Sequence, residues 1–275
     1  MELTKDKVPS HKIRLVLTNN CNMNCPWCVD NSIRTDSDGD FMTMKNVDKA
    51  ITFGKDNDIK EFTLTGGEPT LHPKIEEIAK LIKANGFKLK MITNYVASDV
   101  VKRLDGIVDR ITISYYGQQL PENNEFLKSE MVLSIILDAN RFKKMEDLDY
   151  FIDKYSNQFE VTFRTMWRVN EYCHNKQVSF LNELDKLESK VINRGRVCNY
   201  YRGHKISRID LPKQDIEFGE PHYKMHVDGT IARDFADVYK DTKDVYILSL
   251  KRALRDQKTP EGRKLIWDSF NNASL

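Results

Sequence analysis

The chain predicts an α/β fold with a parallel sheet, on three observations. Short β-rich runs recur between residues 12 and 163, stretches of helical period separate them, and a polar loop rich in cysteine follows the first run. The runs are KIRLVLT (12–18), EFTLT (61–65), KLKMIT (88–93), RITIS (110–114), MVLSIIL (131–137) and FEVTF (159–163), which makes six strands. Between them lie residues 43–57, 73–86, 98–106 and 145–158, each with apolar residues at helical spacing, and Asn85-Gly86 is a stop signal for the second. The gap between the fourth and fifth strands, YYGQQLPENNEFLKSE, is short for a crossover helix and predicts an abbreviated element.

After residue 170 the pattern changes. VSFLNELDKLESKVIN (178–193) predicts a helix, then comes KISRIDL (205–211), then HYKMHVDGTIARDF (222–235), a hairpin turning at Asp228-Gly229, and finally VYILSLKRALRD (245–256). No linker composition separates this tail, which is expected to pack on the main sheet.

Composition bounds the function. At 275 residues and 40% hydrophobic content the chain can bury a sizeable core. Lys plus Arg at 43 against Asp plus Glu at 41 gives a formal charge of +2, so no overall field points to nucleic acid or an acidic membrane. Neither an apolar leader nor a run of 18 apolar residues occurs, and a soluble cytoplasmic protein is expected.

Three of the five cysteines, Cys21, Cys25 and Cys28, stand in TNNCNMNCPWCVDN, directly after the first strand, where parallel sheets place their sites. Inert core cysteines rarely sit among so many asparagines. Structural zinc needs four Cys or His ligands, and neither His11 nor His72 has finger-like spacing. Three thiolates suit a four-iron, four-sulfur cluster with one iron open to another ligand.

Cys21, Cys25, Trp27 and Cys28, read as Cys-x-x-x-Cys-x-aromatic-Cys, resemble the signature of the radical S-adenosylmethionine (SAM) enzymes. The resemblance implies that the three cysteines hold a 4Fe-4S cluster and that SAM chelates the open iron. It further implies release of a 5′-deoxyadenosyl radical that takes hydrogen from a substrate, and an external electron donor such as flavodoxin or ferredoxin. Trp27 would lie against the adenine. Gly66-Gly67-Glu68-Pro69, closing the second strand, resembles the family's GGE motif, in which the carboxylate holds the SAM amino group; the glycines would allow close approach to a ligand. Thr93 and Asn94 at the end of the third strand, Ser114 at the end of the fourth and Asn140 after the fifth resemble residues that contact the ribose, the methionine carboxylate and the nucleoside. The implied fold is a partial (β/α)6 barrel with a C-terminal α+β extension, divided as a core at 1–170 and an extension at 171–275. The motif resemblance itself covers residues 10 to about 165.

The tail carries weaker signals. Only Cys173 and Cys198 remain, too few for an auxiliary cluster; His222 and His226 share a strand face without a third ligand. Some related epimerases use a C-terminal thiol to return hydrogen to the substrate radical, which makes Cys198, after Arg194 and Arg196, the candidate donor and Cys173 the reserve. RGRVCNYYRGHKISR offers Arg194, Arg196, Arg202, Lys205 and Arg208 around two tyrosines, fitting a phosphate, a nucleotide or an acidic peptide, and Arg164 closes the sixth strand facing the mouth. The expected substrate is a peptide or small metabolite, with a nucleotide or other phosphorylated compound as the alternative; a zinc-stabilised interaction module and an inactive SAM-binding fold are readings of another class. Cys21→Ala, Cys25→Ala and Cys28→Ala are each expected to abolish cluster binding, read as loss of bound iron after anaerobic reconstitution.

Overall fold

The structure is a computed structural model that describes residues 11–23, 25, 28, 41–121, 128–138, 141–166, 178–192, 196–208 and 222–234. Trp27, Asn140, Cys173, Arg194, the side chain of His222 and the segment 245–256 lie outside the described residues.

β1 (Lys12–Val16), β2 (Glu61–Thr65), β3 (Lys88–Thr93), β4 (Arg110–Tyr115), β5 (Glu130–Ile136) and β6 (Glu160–Arg164) lie side by side in chain order, each parallel to the next. Right-handed crossovers in unbroken strand order put the connecting helices on one face. These are α1 (Met44–Asp56), α2 (Ile75–Ala84), α3 (Ser98–Arg103) and α4 (Asp149–Tyr155). The Thr43 hydroxyl caps α1 by accepting from the Asn46 amide at 3.2 Å. Buried residues then recur at helical spacing: Val47, Ala50, Ile51 and Gly54 on α1, and Ile75, Ile78, Ala79 and Ile82 on α2. Gly86, at φ +83°, stands just past the end of α2 where the sequence predicts it.

Register explains the sheet's two unlike faces. Leu15, Leu64, Met91 and Ile111 are opposite one another and wholly buried beneath the helices. One residue earlier along each strand, Arg14, Thr63, Lys90, Arg110 and Glu130 make a row on the other face. Ion pairs cross-link this face: Lys90 to Glu61 at 2.7 Å, and Arg110 to Glu130 at 2.8 Å and to Glu160 at 2.6 Å. A parallel sheet is ordinarily apolar on both sides. Here the helix-free face is polar, as in an open barrel whose inside receives a ligand rather than a second layer of helices.

The predicted helix 178–193 is corrected: α5 (Val178–Leu184) stops early and β7 (Ser189–Ile192) follows. The cause is tertiary. The Asn199 side-chain amide donates to the carbonyls of Leu184, Leu187 and Glu188, each at 3.3 Å, which takes up acceptors at the helix end. Val191 and Ile192, both β-branched, pair with β8 (Arg196–Tyr201) in an antiparallel hairpin. β9 (His204–Ser207) then pairs antiparallel with β8 and parallel with β6. Tyr116–Pro121, in the gap between β4 and β5, contains no helix, and residues 122–127 lie outside the described set.

The hairpin predicted at 222–235 forms as β10 (His222–Met225) and β11 (Ile231–Asp234), with Gly229 at the turn. It joins the opposite edge: β10 runs parallel to β1, so one eleven-stranded sheet reads β11-β10-β1-β2-β3-β4-β5-β6-β9-β8-β7. Asn46 and Lys49 of α1 fasten the turn by donating to the Val227 and Gly229 carbonyls, both at 2.9 Å. Arg202 fastens the other end to α4 through Asp149 and Asp153. Among the described residues no helix is long and apolar enough to cross a membrane.

Phe62, fully buried and packed against Phe87 with ring centroids 4.5 Å apart, sits where β2 meets the helices. Phe62→Ala is expected to lower stability by about 3–5 kcal/mol, read from urea denaturation. Arg202→Ala, at an exposed bridge, is expected to leave the urea midpoint nearly unchanged.

Candidate active site at the strand ends

β1 continues directly into the cysteine loop. The Leu17 amide donates to the Thr65 carbonyl at 2.9 Å, Gly67 to Thr18 at 2.8 Å and Glu68 to Asn20 at 2.8 Å, so the two chain segments remain zipped beyond the strands. Gly66 sits at φ +138°, and a side chain there would overlap the Thr18 carbonyl; a Cβ on Gly67 would overlap the carbonyl of Asn20. The glycines therefore admit the backbone of the cysteine loop.

Glu68 is buried at 1% exposure and receives four hydrogen bonds. Its Oε1 accepts from the Thr70 amide at 3.1 Å, the Thr70 hydroxyl at 2.6 Å and the Thr93 hydroxyl at 2.7 Å; Oε2 accepts from the Asn94 amide at 2.7 Å. Oε2 retains capacity for one further donor, which suits an ammonium group. Thr93 spends its only proton on Glu68 and accepts from the Tyr95 amide at 3.0 Å, so it positions the carboxylate. Tyr95 holds φ +62°, a conformation uncommon outside glycine, in the turn that follows. The Asn94 side-chain amide donates to Asn22 Oδ1 at 2.6 Å and lies 3.9 Å from the Cys21 sulfur. One short segment thus grips both Glu68 and the cysteine loop.

Cys21, Cys25 and Cys28 are partly exposed and joined in no disulfide among the described residues, and the Cys28 amide donates to the Cys25 carbonyl at 3.1 Å. Among the described residues no three Cys, His, Asp or Glu side chains are already drawn round one point. The fit to an iron–sulfur cluster therefore rests on donor chemistry: three thiols on one loop pinned at its root. His72 is no substitute ligand. It is buried, its Nδ1 accepts from the Lys74 amide at 3.1 Å and its Nε2 faces the Met42 carbonyl at 2.9 Å, and burial lowers its pKa. His11 faces Asp58 at the opposite end of the strand.

Tyr116, directly after β4, is a residue that the sequence reading missed. Burial pushes its phenol up to about 12; Cys25 and Cys28 add to the rise, while Arg164 and a hydrogen bond from Ser114 oppose it. Gln118, also missed, donates to the Asn94 and Ser114 carbonyls at 2.8 Å each and so ties the end of β3 to that of β4. Neither residue belongs to a local motif; only the strand-end positions of their neighbours pointed to them. Cys198 lies on β8, 1% exposed, and register sets it level with Arg164 through Ser207.

A family model described as the radical SAM superfamily matches residues 15–116, from β1 past the end of β4. A Methanocaldococcus jannaschii protein assigned as a glycyl-radical enzyme activating enzyme is 30% identical over 212 residues, covering 75% of this chain and 74% of its own. The chain belongs to the radical SAM superfamily. As a radical SAM enzyme it has a family whose members use SAM and an iron–sulfur cluster, and its fold is the family's partial barrel. The GTP 3′,8-cyclase of Clostridium perfringens is 26% identical over 235 residues, 75% of this chain and 71% of the cyclase. An S-adenosylmethionine-dependent nucleotide dehydratase of a Thermoplasmatales archaeon is 32% identical over 96 residues, a match spanning 34% of this chain and 33% of the dehydratase. Streptococcus suis SuiB, solved with precursor peptide SuiA, is alike in fold, with a TM-score of 0.54 at 13% identity over 84% of this chain and 61% of SuiB.

Gly67→Ala is expected to disturb the root of the radical SAM loop without emptying the core: iron uptake falls severalfold while circular dichroism stays near that of the parent protein. Thr93→Val, which deletes one of four donors to Glu68, is expected to cost about 1–3 kcal/mol in stability and to weaken SAM binding, measured by equilibrium dialysis.

Proposed function

We propose that this enzyme holds a 4Fe-4S cluster on Cys21, Cys25 and Cys28, binds SAM at Glu68, and removes a hydrogen atom from a phosphorylated small molecule, a nucleotide in the first instance. The observation that carries the reading is the Glu68 clamp: one buried carboxylate, with an acceptor site to spare, fastened through Asn94 to the loop that bears Cys21. When bound, the cluster and SAM supply a 5′-deoxyadenosyl radical that takes the hydrogen atom from the substrate. The chain's own part is positional. Glu68 receives the SAM ammonium, Thr93 and Thr70 keep the carboxylate from turning, and Ser114, Trp27 and Asn140 are the further SAM contacts that the motif resemblance assigns. Reduction is assigned to an external flavodoxin or ferredoxin.

One fact favours a nucleotide over a peptide: the relatives include a GTP cyclase matched over 75% of this chain and a nucleotide dehydratase matched over 34% of it. The peptide named with SuiB belongs to that protein, and the likeness to it concerns fold.

Anaerobically reconstituted protein is expected to be brown, to carry about four irons per chain, and to form 5′-deoxyadenosine when given dithionite and SAM. Colourless protein with bound zinc would sink this reading. Glu68→Gln is expected to keep its iron yet bind SAM about 10- to 100-fold more weakly, in line with a lost charge-assisted hydrogen bond. Iron falling as far as in the cysteine variants would instead make Glu68 a structural residue.

A further inference from the structure

We propose that Arg164 and Ser134 form the pocket that receives a phosphate group of the substrate beside the radical site, which rests on the nucleotide reading above. Register places both on the helix-free face. Ser114, Ser134 and Thr162 stand opposite one another on β4, β5 and β6, and Arg164 lies two residues beyond Thr162, on the same face and at the strand end. Ser134 and Arg164 are therefore diagonal neighbours about 8 Å apart at their backbones, room enough for a tetrahedral phosphate between them.

The side chains have the matching chemistry. Arg164 has an enclosed Nε with no hydrogen-bond partner, and no described carboxylate pairs with its guanidinium. A partly buried cation with an unused donor is costly unless an anion completes it. Ser134 is 8% exposed and brings a hydroxyl to the same face. The Tyr116 phenol feels Arg164, Cys25 and Cys28 together, so this corner and the cysteine loop share one electrostatic neighbourhood. A guanidinium fork plus hydroxyls offers more donors than the two oxygens of a carboxylate use, and a phosphate has the oxygens to meet them. The SAM carboxylate is less well suited. The residue that receives the SAM ammonium, Glu68, follows β2, four strand spacings of roughly 4.8 Å from β6.

The test uses unreduced, reconstituted protein in equilibrium dialysis against GTP, CTP, guanosine, inorganic pyrophosphate and SAM. Wild type is expected to bind pyrophosphate and at least one of the triphosphates, and to bind that triphosphate more tightly than guanosine. Arg164→Gln should weaken triphosphate and pyrophosphate binding about 10- to 100-fold, Ser134→Ala less, and Arg164→Lys should restore part of the loss; guanosine and SAM affinities should move less than about twofold. Should Arg164→Gln fail to fold, by circular dichroism, the Lys and Ser134→Ala variants carry the comparison. A fall in SAM affinity with phosphate binding unchanged would overturn the proposal and give Arg164 to the SAM carboxylate. Wild type that forms 5′-deoxyadenosine but binds neither triphosphate nor pyrophosphate would overturn the pocket and leave the radical chemistry standing. Arg164-dependent phosphate binding in protein that never cleaves SAM would do the reverse.

Discussion

A buried carboxylate organises this end of the molecule. Removing a charge from water is costly, and Glu68 meets the cost with four donors drawn from two loops: the amide and hydroxyl of Thr70, the hydroxyl of Thr93 and the amide of Asn94. Satisfying one side chain thus fixes the ends of β2 and β3 relative to each other. The Glu68 amide, bonded to the Asn20 carbonyl, brings in the cysteine loop as a third party. None of these contacts is strong enough alone to hold a loop of polar residues in place. Together they make the position of Cys21 a consequence of where Glu68 is buried.

The two faces of the sheet divide the work. The helix side supplies cohesion through Leu15, Leu64, Met91, Ile111 and their neighbours. The opposite side is built of charges and hydroxyls that pair with one another near the strand starts, as Arg110 does with Glu130 and Glu160, and are left for a ligand near the strand ends. The gradient follows from strand direction. All six central strands point the same way, so their carboxyl ends collect the loops, and polar residues there can be chosen for binding without loosening the core.

Much of this was legible in the sequence, and physics says which parts. The six core strands and four helices announce themselves through local apolar periodicity and stop signals such as Asn85-Gly86, all written within a dozen residues. Cys21, Cys25 and Cys28 are equally local, as is the Gly66-Gly67-Glu68 turn. The helix expected at 178–193 misleads because its second half keeps a helical spacing; only contact with Asn199 and pairing with β8 end it, and both depend on residues further along the chain. Tyr116, Gln118 and the Ser134–Arg164 diagonal were invisible for a related reason. They become neighbours through strand register, which no window of one strand contains. Thr93 and Asn94 were found by their strand-end position, while their bonds to Glu68 and Asn22 join loops that no local window contains.

The closing of the sheet on β1 sets a timetable for synthesis. Tyr223 pairs with Ile13, about 210 residues earlier, so at roughly 5–20 residues per second the outer edge of β1 waits about 10–40 s for its partner to be made. During that interval the row of backbone groups on β1 is an open edge, able to accept any other extended chain. The alternate charges of Lys12 and Arg14 along that strand work against such pairing. A nascent chain of this kind is expected to depend on holding chaperones more than its finished sheet would indicate, and the hairpin that arrives last does the work of a latch.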